Sequence, residues 1–285
     1  MVYSSTLKVR WKKDIMTLMI IDFHTHFFPD TIAAESVEHL ARASGIGYFG
    51  DGTMHSLLSF MREDGVALSV NLPVATRPEQ VHGINRKMIA INAMNSGVIC
   101  SGAMHPAYEK FDEELAFLRA NGIKGIKLHS EYQEFRPEDT ALRPLFESCA
   151  RNGIMVLFHS GADLGYPDVH CTPRGISELV EIEGLTIILA HMGGYRMWDE
   201  VEKYLMGKNM YLDLAYCNEM DNDQLKRMIM RHGSDKILFA TDFPWERARV
   251  MKQKLDALQL DAEDRDNILF KSASRLLRIP IAHCL

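Results

Sequence analysis

His24 and His26 close an apolar run, Met19-Ile20-Ile21-Asp22-Phe23-His24-Thr25-His26. If the run is a strand, side chains two residues apart leave on one side. The two imidazoles then face one point, as two ligands of one metal ion must. Zinc and similar ions take imidazole nitrogen at about 2.0–2.1 Å, so the pair supplies half of a four-coordinate site. Asp22 shares the parity and is expected below the pair, unless a turn at the strand end redirects it. The competing reading is two surface histidines in a loop after a core strand.

Later apolar runs also end in reactive residues. His105 follows the third run, Lys127-Leu128-His129 ends the fourth, and His159-Ser160-Gly161 ends the fifth. His191-Met192-Gly193-Gly194 ends the sixth and Thr241-Asp242-Phe243-Pro244 the eighth. Histidine is only 12 of 285 residues, so chance placement at so many run ends is a poor explanation. A satisfied core histidine explains any one of them but strains for the set. Imidazoles and a carboxylate converging on one rim are what a metal site requires.

The elements that must position these residues are legible as eight short apolar, β-rich runs: Leu18–Phe23, Ala67–Leu72, Val98–Ala103, Gly125–Leu128, Ile154–Phe158, Thr186–Ala190, Met210–Leu214 and Lys236–Ala240. Near-continuous apolar runs suit parallel strands covered on both faces. Amphipathic, helix-like stretches separate them, and Gly65, Gly97, Gly122, Gly153, Gly184, Gly207 and Gly233 stand where helices should stop. Eight such units predict an α/β fold, a (β/α)8 TIM barrel built as a single domain over 18–285. A doubly wound open sheet is the second choice, with no reason for eight even units. Residues 1–17, with Lys8, Arg10, Lys12 and Lys13, read as an extension outside the barrel. Pro29–Thr53 reads as a long first connection, of the kind that forms lids or substrate loops.

Composition narrows the function classes. Hydrophobic residues at 47% and charged residues at 25% are ordinary for a soluble globular chain. A formal net charge of -6 makes nucleic acid an unexpected partner. No apolar run approaches a membrane span, and no secretory signal pattern is present. Five scattered cysteines without a C-x-x-C pattern point to a reducing compartment, hence a cytoplasmic protein.

The motifs Asp22-Phe23-His24-Thr25-His26, Gly125-Ile126-Lys127-Leu128-His129, Leu157-Phe158-His159-Ser160-Gly161, Leu189-Ala190-His191-Met192-Gly193-Gly194 and Phe239-Ala240-Thr241-Asp242-Phe243-Pro244 together resemble the amidohydrolase superfamily. The resembling branch is the one that includes aminocarboxymuconate-semialdehyde decarboxylase. Asn267-Ile268-Leu269-Phe270 and Ser274-Arg275-Leu276-Leu277 look like that family's closing helix. The resemblance implies one divalent metal ion held by His24, His26, His159 and Asp242. Zinc is the first choice, with manganese, iron or cobalt able to replace it. It also implies that Asp242 takes a proton from metal-bound water and that His191 orients or protonates substrate. In some branches the residue at Lys127 is carbamylated and bridges two metals; in the resembling branch it usually stays an amine beside one metal. A homodimer is a further family-level expectation.

Softer candidates complete the list of substrate contacts. His105 and His129 are rim contacts or structural histidines. Arg174 and Arg196 can fork onto a substrate carboxylate, although surface ion pairs are the commoner fate of arginine. Trp245 walls the pocket or simply packs. The function expected is a metal-dependent hydrolase of a small-molecule amide, lactone or ester. The alternative is a metal-dependent, non-oxidative decarboxylase of an unsaturated or aromatic acid, which would want an inward arginine near the metal. A barrel that only binds a ligand is a third class, disfavoured by the intact set of histidines and Asp242.

Overall fold

The computed structural model describes residues 19–279. The expected 1–17 extension lies outside the described residues. The chain alternates short parallel strands with helices. The strands are β1 (Ile21–Thr25), β2 (Leu68–Asn71), β3 (Val98–Cys100), β4 (Gly102–Ala103), β5 (Gly125–Leu128), β6 (Met155–Phe158), β7 (Ile187–Leu189), β8 (Tyr211–Asp213) and β9 (Ile237–Leu238). The helices are α1 (Ala33–Ser44), α2 (Met54–Asp64), α3 (Val81–Asn92), α4 (Phe111–Ala120), α5 (Arg143–Asn152), α6 (Pro173–Ile176), α7 (Trp198–Tyr204), α8 (Asn222–His232), α9 (Ala248–Ala257), α10 (Ala262–Asp266) and α11 (Ser272–Leu277).

Every strand pairing is parallel, in the order β1-β2-β3 and β4 through β9. The last strand closes on the first: Phe23 N–H donates to Phe239 O at 2.9 Å, Asp242 N–H to His24 O at 2.8 Å, and Thr25 bridges Phe243. This is the expected (β/α)8 barrel. The third apolar run is one barrel stave broken at Ser101. Ser101 N–H still donates to Asn71 O of β2 at 2.9 Å, and from Gly102 the ladder passes to β5. A Cβ at Gly102 would meet Leu118 Cδ1 at 2.8 Å, so helix α4 packs closely on the chain there and a larger residue would require Leu118 to shift.

Alternate strand residues divide into two cores. Ile126, Leu128, Val156, Phe158, Ile187 and Leu189 pack outward against helix side chains such as Leu115, Leu118 and Phe146. Phe23, Val70, Leu157, Ile188 and Leu238 fill the barrel and are capped by Ala273 and Leu277 of α11. Packed apolar layers beneath leave the polar groups only the strand C-terminal ends, where this fold keeps its chemistry.

Two expectations change in detail. Pro29–Thr53 contains helix α1, ended by Gly45 in the left-handed region (φ 71°). Only Ala33 and Val37 of that helix are buried, so its apolar periodicity is too thin to read as a core-facing helix. The stretch Ile176–Ile182 is a short α turn running into a 3-10 segment, Ser177–Glu181. Cys100, Cys149, Cys171 and Cys217 are buried free thiols. No helix among the described residues is long and apolar enough to cross a membrane.

Candidate metal centre

Strand β1 carries an irregularity between Asp22 and Thr25 in its register with β2. Phe23 packs into the barrel interior, yet His24 and His26 both reach the site. Asp22, expected below them, instead accepts from Thr241 Oγ1 at 2.7 Å and Thr241 N–H at 3.0 Å. Burial pushes its carboxyl up to about 7, against the pull of those bonds from Thr241. It fastens β1 to the eighth stave and does not join the ligand atoms.

His24 Nε2 lies 3.1 Å from His26 Nε2 and 3.2 Å from Asp242 Oδ1. His26 Nε2 lies 3.0 Å from the same oxygen. The outer nitrogens decide what these atoms are. His26 Nδ1 is 2.9 Å from Leu72 O, and a carbonyl only accepts, so Nδ1 carries the proton. His24 Nδ1 donates to Asp213 Oδ2 at 2.8 Å. Burial drives His24 well below the usual imidazole range, helped by the positive Lys127. In the neutral rings both Nε2 atoms are therefore bare lone pairs, facing each other and a carboxylate oxygen. Three acceptors at this separation repel unless a cation lies among them. Donors bound at about 2.0–2.1 Å in a tetrahedron sit about 3.3 Å apart, so the spacing suits such an ion. Burial would raise the Asp242 carboxyl; protonated rings at His24 and His26 would hold it well below the ordinary carboxylate range, and with the rings neutral that work falls to a bound cation.

His159 is the expected ligand that stands apart from this triad. It groups with His129 and Asp163. His191 Nδ1 is 2.9 Å from Ala215 O, and so carries a proton; its Nε2 lies 3.0 Å from His159 Nδ1. With His191 neutral, His159 Nδ1 donates, leaving His159 Nε2 buried, bare and without a hydrogen-bond partner. That is the condition of a ligand atom. His191 therefore orients His159 here, and its Nε2 is engaged with that ring. The His129 and His159 rings are stacked 4.2 Å apart at 8°. Lone pairs in parallel planes do not converge, so these two rings form no second ion site as they stand. His129 is also stacked on Tyr132 at 3.6 Å and reaches Asp163 Oδ2 at 3.3 Å.

Backbone strain concentrates at the same residues. His191 (φ 59°), Met192 (φ 53°) and Asp242 (φ 67°) are non-glycine residues in the left-handed region, each costing on the order of 1–3 kcal/mol. Gly161 (φ 83°) bridges Tyr195, and a Cβ there would meet Tyr195 N at 2.1 Å. Only glycine lets the chain after His159 come so close to the chain after His191.

Asp213 is the functional residue that the motifs did not reveal. It is buried on β8; besides holding His24, its Oδ1 accepts from His191 N–H and Ala215 N–H at 3.0 Å each. Burial pushes it up to about 6, against the pull of the Lys127 ammonium and of the backbone N–H groups of Ala215 and His191. The signal available in sequence was a single acid inside an apolar run. Lys127 is buried, with Nζ 3.5 Å from His24 Nε2. Burial pulls its amine down to about 8 against the attraction of Asp213 and Asp242.

The other expected contacts disperse. Arg196 forks onto Glu219 at 2.8 and 3.2 Å with half its side chain exposed. Arg174 is exposed on α6. His105 opens on a different cavity of about 710 Å³, shared with Gln133, Arg136 and His170. Trp245 is half-buried, and its backbone N–H donates to Asp242 O at 2.9 Å.

A family model described as amidohydrolase matches residues 21–279. The chain belongs to the amidohydrolase family. Solved structures share the fold of this amidohydrolase. An uncharacterised TIM-barrel protein from Bordetella bronchiseptica is 17% identical, with a TM-score of 0.71 over 92% of this chain and 99% of its own. A manganese-bound 5-carboxyvanillate decarboxylase from Novosphingobium aromaticivorans is 12% identical, with a TM-score of 0.69 over 93% and 98%. A chain described as 2-pyrone-4,6-dicarboxylic acid hydrolase from Pseudomonas putida is 18% identical, with a TM-score of 0.62 over 92% and 98%. A search of the curated proteins found no match. At such identities the likeness speaks for the fold alone, and this amidohydrolase keeps company with both reaction types.

Proposed function

We propose that this amidohydrolase is a metal-dependent hydrolase of a small-molecule amide, lactone or ester. The observation that carries the reading is the cluster of His24 Nε2, His26 Nε2 and Asp242 Oδ1, three acceptors 3.0–3.2 Å apart with the outer nitrogens of both rings already spent. These donors suit one divalent ion, zinc first and manganese, iron or cobalt next, with His159 Nε2 as the further donor on offer. Such an ion, when bound, lowers the pKa of its water to about 7 and polarises a carbonyl oxygen.

The chain's own residues do the rest. Asp242, which such an ion would keep ionised, is placed to take the proton that the attacking water releases. Asp213 keeps His24 Nδ1 protonated and its Nε2 free. His191 does the same for His159. Water adds across the acyl bond; the acyl carbon gains the hydroxyl and the leaving group gains the proton. The guanidinium anchor that decarboxylation would want is not supplied by Arg196, which is committed to Glu219, or by the exposed Arg174. Buried Lys127 is the observation that keeps decarboxylation as the second reading, because its ammonium can hold a carboxylate.

Dialysis against a chelator should abolish turnover of a panel of lactones, esters and amides, and zinc, manganese or cobalt should restore it. Ring opening or acyl cleavage supports hydrolysis. Release of CO2 from acid analogues, with no cleavage of any acyl bond, would replace it by decarboxylation.

A further inference from the structure

Lys127 has the contacts of a cation waiting for an anion. It sits on β5 between Ala103 of β4 and Leu157 of β6. It is 1% exposed, and no carboxylate forms an ion pair with its Nζ among the described residues. Its near polar neighbour is His24 Nε2 at 3.5 Å, a ring already anchored on Asp213. Asp213 and Asp242 attract the amine from farther off. A buried charge is costly unless a partner compensates it. Here the protein supplies attraction and one neutral acceptor, but no anion in direct contact among the described residues.

The missing partner has a defined place. Lys127 Nζ is one contact from the nitrogen that faces His26 and Asp242, whose side chains are 18% and 15% exposed and form the open edge of the cluster. A group bound against that edge would lie beside His24, His26 and Asp242, with the Lys127 ammonium one contact farther in. An ammonium beside a bound dication is repelled by it unless an anion lies between the two. A carboxylate has two oxygens and meets both demands.

We propose that Lys127 is the anion anchor of the site and that the substrate carries a carboxylate next to the group that reacts. This rests on the reading of the cluster as a metal centre, and it narrows the substrate class to carboxylate-bearing amides, lactones or esters. Lys127 is a binding residue in this role: its ammonium receives a hydrogen-bonding, charged partner and passes no proton.

Benzoate and its uncharged counterpart benzamide test it, titrated calorimetrically into metal-loaded and metal-free protein, with metal content measured alongside. The native protein should bind benzoate at least tenfold more tightly than benzamide. Lys127→Met, which keeps the length of the side chain and removes the charge, should keep the metal content and lose that preference; Lys127→Gln is the second variant, and thermal melting checks both folds. Removal of an uncompensated charge should leave the melting temperature of Lys127→Met equal to or above the native value. An undiminished preference in folded Lys127→Met and Lys127→Gln overturns the proposal. So does a lysine carbamate signal in native protein equilibrated with 13C-labelled bicarbonate, absent from Lys127→Met, because a carbamate is itself an anion. Failure of the metal reading shows separately, as protein that takes up no divalent ion while metal-free protein still prefers benzoate.

Discussion

Asp242→Asn protein is expected to keep much of its metal and to lose turnover by about 10²–10⁴-fold, the usual worth of a positioned proton acceptor. The amide oxygen of asparagine can still face His24 Nε2 and His26 Nε2, where Oδ1 now lies at 3.2 and 3.0 Å. What it lacks is the charge that takes up a proton at neutral pH. Both imidazoles remain fixed by Asp213 and Leu72 O, so the loss should fall on kcat with metal content nearly preserved. Metal analysis and steady-state kinetics on one preparation read both quantities. Full activity in this variant would remove Asp242 from the proton-accepting role.

Asp213→Asn should be nearly as damaging by a different route. The asparagine Oδ1 can go on accepting from His191 N–H and Ala215 N–H. Its amide nitrogen, however, would present hydrogens to His24 Nδ1, where the carboxylate now receives one at 2.8 Å. The ring then favours the tautomer with the proton on Nε2, the nitrogen that must be bare to hold a metal. Loss of such a supporting partner typically costs about 10–100-fold in metal affinity. The expected result is a folded protein whose metal affinity falls by that factor, read by competition with a chromophoric chelator. An affinity equal to that of the native protein would show that Asp213 serves packing alone.

These two residues also mark what the sequence could and could not disclose. Asp242 was visible because it ends an apolar run within a recognisable motif, Thr241-Asp242-Phe243-Pro244. Asp213 has the same physical importance but lies inside a short run, where an acid equally suits a solvent-facing strand position. The eight staves were legible because burial on both faces makes parallel strands nearly all apolar. The break at Ser101 was not, since Val98–Ala103 reads as one continuous run.

Spacing alone brought His24 and His26 together. Spacing misplaced Asp22 because the register irregularity before Thr25 leaves no mark on residue type. Arg196 and Arg174 illustrate a similar blindness: the sequence puts both after strand ends, and only the fold reveals that Glu219 occupies one. Motif order likewise could not reveal that His191 Nε2 is turned toward His159. That contact depends on the left-handed turn at His191 and on the Ala215 carbonyl.

The most direct test of the account is anomalous scattering from crystals of the metal-loaded, active protein. A peak is expected at about 2.0–2.2 Å from His24 Nε2, His26 Nε2 and a carboxylate oxygen of Asp242, the range for nitrogen and oxygen ligands of zinc. Active crystals with no peak at that point, or with their only peak elsewhere in the molecule, would contradict it.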